Sequence, residues 1–238
     1  MAVITAQPGS SGDDGYTYMD MMAPAFNNSG ATMRVGNDTA TMSEDSSFMR
    51  FPSVAIAQGA TISAATIDFI LSADADGSFD CDIKAEDVDN SIQPTNNSGV
   101  TGATKTTASV AMTTDASWEA DATETTPDIS SVIQEVVNRG SWVSGNAITI
   151  YFLYGGSASE TESIVLKTYD GSAPVTLSVT TPTSVTVSPA ALYGQSAAVQ
   201  PSVVLPSTDD EEMLLSLAGT GMGSQFNLDV DPALGLRG

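Results

Sequence analysis

Apolar residues in this chain recur mostly at every second position, in short runs separated by Gly, Asn, Asp and Ser, and this periodicity restricts the fold more than any other feature. In Thr66–Ser72, Ile67, Phe69 and Leu71 alternate with Thr66, Asp68 and Ile70. In Ser78–Ala85, Phe79, Cys81, Ile83 and Ala85 share one face, with Asp80, Asp82 and Lys84 on the other. Such alternation places one face of a strand in a core and the other toward water. Asp76-Gly77 lies between the two runs and suits the positive φ angles of a tight turn, which predicts that they form a hairpin. Further strands are expected at Ser46–Phe51, Thr107–Met112, Ala147–Tyr154, Ser163–Tyr169 and Val175–Thr180. Ala147–Tyr154 is almost continuously apolar, as a central strand covered on both faces would be.

One segment departs from period two. Across Asp128–Arg139, Ile129, Val132, Ile133, Val136 and Val137 recur at the spacing of a helix face. Pro127 precedes it, Asp128 or Ser131 can cap it, with Gln134 three residues after the latter, and Gly140 ends it. The fold class predicted from these patterns is all-β, a jelly-roll-like antiparallel β-sandwich carrying one short amphipathic helix. Residues 1–182 make up the sandwich domain. From Thr183 to Gly238 the texture turns to Ser, Thr, Pro, Ala and Gly, with strand-like pieces at Ser184–Ser188 and Ala198–Leu205 and an acidic patch at Asp209–Glu212. That segment reads as an extended C-terminal arm with too little apolar surface to order itself.

Composition removes many functions. The 238 residues include no histidine and one cysteine, so His-based triads, Cys–His dyads and the usual zinc sites lack their key group. Seven Lys+Arg against 29 Asp+Glu give a formal net charge of −22, which opposes binding to nucleic acid and to anionic membrane surfaces. No basic n-region with an apolar run opens the chain, and no 18 consecutive apolar residues occur, so neither a signal peptide nor a membrane span is expected. Cys81 falls at an inward position of its strand and reads as a small buried hydrophobe. No catalytic residues and no enzymatic activity are expected.

Two sets of residues are candidates for binding. Asp13 and Asp14 near the start, and Glu86, Asp87, Asp89 and Asn90 at a strand end, offer hard oxygen ligands for a structural Ca²⁺, against the simpler reading of solvated acidic loops. The acidic series from Asp74 is not a calcium loop, because its sixth position is Phe79 and its twelfth Ala85. Trp118 and Trp142 are the candidates for stacking on a glycan, against the simpler reading that both cap the core.

The order of several pieces resembles that of the DNRLRE-type β-sandwich modules, a family related to carbohydrate-binding modules and also found in structural proteins of marine tailed phages. The matching pieces are Gly12-Asp13-Asp14-Gly15-Tyr16, Arg34-Val35-Gly36, Phe48-Met49-Arg50-Phe51, Gly59–Ala65, Ile83–Asn90, Asp128–Gly145 and Tyr169-Asp170-Gly171, spanning roughly residues 10–180. The resemblance implies a jelly-roll with a role in binding or building. The expectation is a virion structural protein made in the host cytoplasm, a capsid decoration, head-fibre or tail-associated subunit whose partners are other copies of itself and other virion proteins. The alternative is a carbohydrate-binding module recognising glycans on a host surface.

Overall fold

The computed structural model describes residues 1–20, 23–38, 43–155 and 162–182. They form an all-β sandwich of antiparallel sheets. The strands are β1 (Ala2–Ala6), β2 (Asp14–Asp20), β3 (Ala23–Asn27), β4 (Thr32–Asp38), β5 (Ser43–Phe51), β6 (Ala64–Ile70), β7 (Asp80–Ala85), β8 (Val110–Thr113), β9 (Thr123–Thr125), β10 (Ile148–Tyr154), β11 (Ser163–Lys167) and β12 (Thr176–Thr181). The small sheet has the order β1-β12-β6-β9. The large sheet runs β11-β4-β5-β10-β7-β8, with β2 paired to β5 and β3 to β2.

The core lies between the sheets, and the period-two pattern fills it. Ile67 and Phe69 from β6 and Leu177 and Val179 from β12 enter from the small sheet. Met49 and Phe51 from β5, Cys81 and Ile83 from β7, and Ile148, Ile150 and Phe152 from β10 enter from the large one. Cys81 is buried as expected, and burial, with the carboxylates of Asp82 and Asp80 beside it, pushes its thiol pKa up to about 12. The five expected strands all form, with ends shifted by a few residues.

The hairpin expected about Asp76-Gly77 does not form. β6 pairs with β12 and β9, whereas β7 pairs with β10 and β8, so the connection crosses from one sheet to the other. Gly77 does take a positive φ, +86°, but Asp76 bridges to Ser163 of β11 instead of closing a two-strand ladder. Identical alternation suits two strands that pair and two that face each other across a core, and here the second arrangement buries both apolar faces.

The amphipathic segment folds as a helix over Ser130–Val137 (termed α2), preceded in the chain by a five-residue helix, α1 (Asn97–Thr101), too short to carry a helical repeat in the sequence. Ile129, Val132, Ile133, Val136 and Val137 are all buried, and α2 packs against β6 and β7, closing the side of the sandwich between the sheets. Its polar side chains tie it to neighbouring segments. Asp128 Oδ1 accepts from the N–H groups of Ala65 and Ser130, both at 2.9 Å. Burial pushes that carboxyl up, but these bonds outweigh it and hold its pKa below the usual value. Gln134 does not close a capping box with Ser131. It donates to Ala60 O at 2.9 Å and accepts from Ile62 N–H at 2.8 Å. Glu135 accepts from Thr107 and Ala108 N–H at 2.8 and 2.7 Å.

Among the described residues, no helix is long and apolar enough to cross a membrane. The expected arm, residues 183–238 with its two strand-like pieces, lies outside the described residues.

Candidate functional site

The outer face of the large sheet carries a transverse row of polar side chains. Thr149 of β10 pairs directly with Arg50 of β5, and the N–H of Glu86 donates to Thr149 O at 2.8 Å on the other side. Glu86 in turn bridges to Lys105, and Asp13, the last residue of the 3-10 turn Ser11–Asp13 that leads into β2, pairs with Arg50. Directly opposed residues in antiparallel strands share a face. Asp13, Arg50, Thr149, Glu86 and Lys105 thus lie across the sheet as two acid–cation pairs on either side of Thr149, from segments that are far apart in sequence.

Segment 91–105, including α1, covers this row and screens it from water. Asp13 is almost wholly buried, with its Oδ1 2.7 Å from Arg50 Nη1, and its Oδ2 accepts from Gly9 N–H and Ser10 Oγ, both at 3.0 Å. Arg50 Nε donates to Ser91 O at 3.0 Å, which anchors the covering segment to the sheet. Burial raises the Glu86 pKa, opposed by the Ser91 hydroxyl and by the positive charges of Lys105 and Arg50. Burial lowers the Lys105 pKa, opposed by Glu86. Lys105 Nζ donates to Val100 O at 2.6 Å and Ala103 O at 3.0 Å, and sits 4.5 Å from the centre of the Tyr151 ring. Tyr151 packs with Phe48 and Val100 in a second small apolar cluster, and burial, with Glu86 nearby, raises the pKa of its hydroxyl.

Beside this row lies a groove of ≈ 270 Å³, with Glu86, Gln93, Thr95 and Asn96 among its polar lining and Ile92 among its apolar lining. Several of these polar groups already have protein partners. Gln93 Nε2 donates to Ser10 Oγ at 3.0 Å, and Asn96 Oδ1 accepts from Gly99 N–H at 2.9 Å as the cap of α1. Ile92 is 79% exposed.

The six acidic-loop candidates do not converge on one point. Asp13 ends a 3-10 turn (Ser11–Asp13) and Asp14 begins β2, and their carboxylates go to different partners. Asp13 meets Arg50 on the outer side, while Asp14 shares the level of Met49 and accepts from Tyr169 N–H at 2.8 Å through Oδ2. Burial pushes the Asp14 pKa up to about 6, opposed by the Tyr169 bond and helped by the negative charges of Asp170 and Asp13. Asp87 and Asp89 do come together, but on the guanidinium of Arg139, which pairs with both. Those carboxylates raise the Arg139 pKa. Asn90 Oδ1 accepts from Ala147 N–H at 2.8 Å, and Glu86 belongs to the row. Among the described residues, no group of three or more His, Cys, Asp or Glu side chains is arranged to hold a metal ion.

Neither tryptophan offers a flat, open platform. Trp142 is 2% exposed, and its Nε1 donates to Ile56 O at 2.9 Å. Trp118 is half-buried against the core, edge-on to Phe69 with ring centres 5.9 Å apart. The transverse row is not legible in the sequence, where Asp13 and Glu86 read as candidate Ca²⁺ ligands in two separate acidic groups. The signal that could have joined them is that each of these acids has a cation next to it, Arg50 beside Asp13 and Lys105 beside Glu86, which becomes visible only once the strand register is known.

Comparison with known proteins finds no family model that matches this chain and no similar curated protein. The resemblance to DNRLRE-type modules therefore stands on its sequence motifs alone.

Proposed function

We propose that this chain is a non-enzymatic structural subunit that works through protein–protein assembly, as a virion protein of the capsid-decoration, head-fibre or tail-associated kind, with a jelly-roll sandwich as its body and residues 183–238 as an assembly arm. The observation that carries this reading is the use of its distinctive side chains for internal structure. Trp142 is enclosed and bonded to Ile56, Arg50 holds Asp13, and Arg139 holds Asp87 and Asp89. A stacking platform or a catalytic pair needs such groups facing a ligand. The motif order and the net charge of −22 are further support, since strong negative charge keeps an outward surface soluble.

The second reading is glycan binding, favoured by the groove whose polar lining of Glu86, Gln93, Thr95 and Asn96 and exposed Ile92 suit a hydroxyl-rich ligand. The two readings part in one experiment on the full chain, combining sedimentation across a concentration series with a glycan array. Self-association without glycan binding supports the structural subunit. A chain that stays monomeric and binds a glycan saturably, with loss of binding in Gln93→Ala, overturns it in favour of the second reading.

A further inference from the structure

We infer that the outer edge of β1 is where a second copy of this chain joins the small sheet, β1 pairing antiparallel with its own symmetry mate; this rests on the assembly reading above and names its contact surface. In the order β1-β12-β6-β9, β1 is terminal, and no described strand pairs with its outer side. An edge strand presents a row of main-chain donors and acceptors to any other strand, and proteins normally blunt such edges with charge, proline or a covering segment.

The other described edges are blunted in one of these ways. β9 is three residues long, contains Glu124 and follows Glu119 and Asp121. β3 contains Pro24. β11 is joined to the chain around the end of β6 by the Leu71–Leu166 and Asp76–Ser163 bridges. β8 is backed one strand in by Asp80 and Asp82, which pair with Thr113 and Ala111. Among the described residues, β1 has none of these devices. Its sequence is AVITA, and it is backed by β12, TLSVTT, with Val3 beside Thr180 and Thr5 beside Ser178. Val3 is 65% exposed.

Charge selects the occupant. Two copies carry −22 each, and at about 0.15 M salt exposed charges repel across roughly 8 Å. A homotypic contact of this chain therefore belongs where the two strands nearest the edge carry no carboxylates, as at β1 and β12, with Asp68 on the next strand in, β6. No Asp, Glu, Lys or Arg side chain occurs between Met1 and Gly12 or between Gly171 and Pro182, the two stretches that build the β1–β12 border. A twofold axis beside β1 brings this charge-free strip against itself and satisfies the main-chain groups of both edges, as an isologous contact requires. A contact at β8 would instead bring Asp80 and Asp82 of both copies toward each other.

The test uses the full chain in about 0.15 M salt, with sedimentation velocity for mass and hydrogen exchange for the amides of Ala2–Ala6. The expected result is a concentration-dependent dimer in which some β1 amides gain protection as the dimer forms. Thr5→Glu and Val3→Glu, both at outward positions, weaken dimerisation at least about tenfold by opposing like charges on paired strands. Ala111→Glu on β8 leaves it unchanged. β1 amides protected equally in the monomer would mean that residues of the same chain, those of 183–238 included, cover the edge, which overturns the inference. Amides unprotected at every concentration overturn it as well. Association that survives Thr5→Glu and Val3→Glu moves the contact to another surface and leaves the assembly reading standing, whereas a glycan-binding monomer overturns the assembly reading itself.

Discussion

Asp13 and Arg50 meet level with each other on the outer face of the large sheet, Oδ1 to Nη1 at 2.7 Å, with 3% of the Asp13 side chain and 19% of the Arg50 side chain exposed. Removing the cation strands a carboxylate in a place closed to water. Arg50→Met is expected to destabilise the domain by about 2–3 kcal/mol, less than the 3–5 of a fully buried pair because Arg50 keeps some solvent. Adding Asp13→Asn should recover most of that loss. Urea unfolding of the single and double variants measures it, and an Arg50→Met variant with an unchanged midpoint would show that the pair carries no stability.

Tyr151 lies at the opposite extreme. It is wholly buried, and its hydroxyl makes no hydrogen bond among the described residues, while its ring packs on Phe48 and Val100 and faces Lys105 Nζ. A buried polar group without a partner costs about 1–3 kcal/mol. Tyr151→Phe keeps the ring and removes the hydroxyl, so the melting temperature should stay the same or rise. A fall equivalent to more than about 1 kcal/mol would mean that the hydroxyl has a partner in solution.

Val136 tests the closure of the sandwich by α2. It is 1% exposed, and a carboxylate there has no cation in the surrounding apolar cluster. Val136→Asp should cost several kcal/mol, enough to unfold a domain of ordinary stability. Circular dichroism of the soluble fraction reads this directly, and a soluble variant that melts where the parent does would contradict the burial of this helix face.

The helix and the row of polar residues differ in how visible they are from sequence, for a physical reason. The apolar positions of α2 repeat within two turns, so local spacing alone reveals which face is buried. The strands of the core were visible in the same way, through Ile67 and Phe69 or Cys81 and Ile83. Their partners were not, because alternation records that a face is buried and not what it is buried against. β1 went unread since its five residues adjoin Gln7 and Pro8 with only one full alternation, and β3 because Pro24 argues against a strand. The transverse row joins Asp13 to Lys105 across segments whose register depends on every intervening strand. Asp13 and Asp14 are neighbours in sequence, yet the 3-10 turn that ends at Asp13 gives way to β2 at Asp14, and the two carboxylates go to separate partners, Arg50 and Tyr169.

Asp14 should make stability depend on pH in a defined window. Its carboxyl titrates near 3.8 when free and is pushed up to about 6 in the folded protein, chiefly by burial. Below the free value both states hold the proton, and the contribution favouring the fold is fully present. As pH rises from there to about 6, the unfolded chain releases the proton while the folded one retains it, so stability falls with rising pH. Above that window both states are ionised, and the folded protein carries a penalty of at most about 3 kcal/mol, from roughly two units at 1.36 kcal/mol each. Glu86 is shifted in the same direction and adds to the slope, so the parent alone does not isolate Asp14. Asp14→Asn does, because its side-chain oxygen can still accept from Tyr169 N–H without titrating. The difference in unfolding free energy between Asp14→Asn and the parent should grow in favour of the variant from pH 4 to about pH 6.5 and then level off. A difference that stays flat across that range would mean that Asp14 is ionised in the folded protein throughout, with solvent or a cation reaching its inward oxygen.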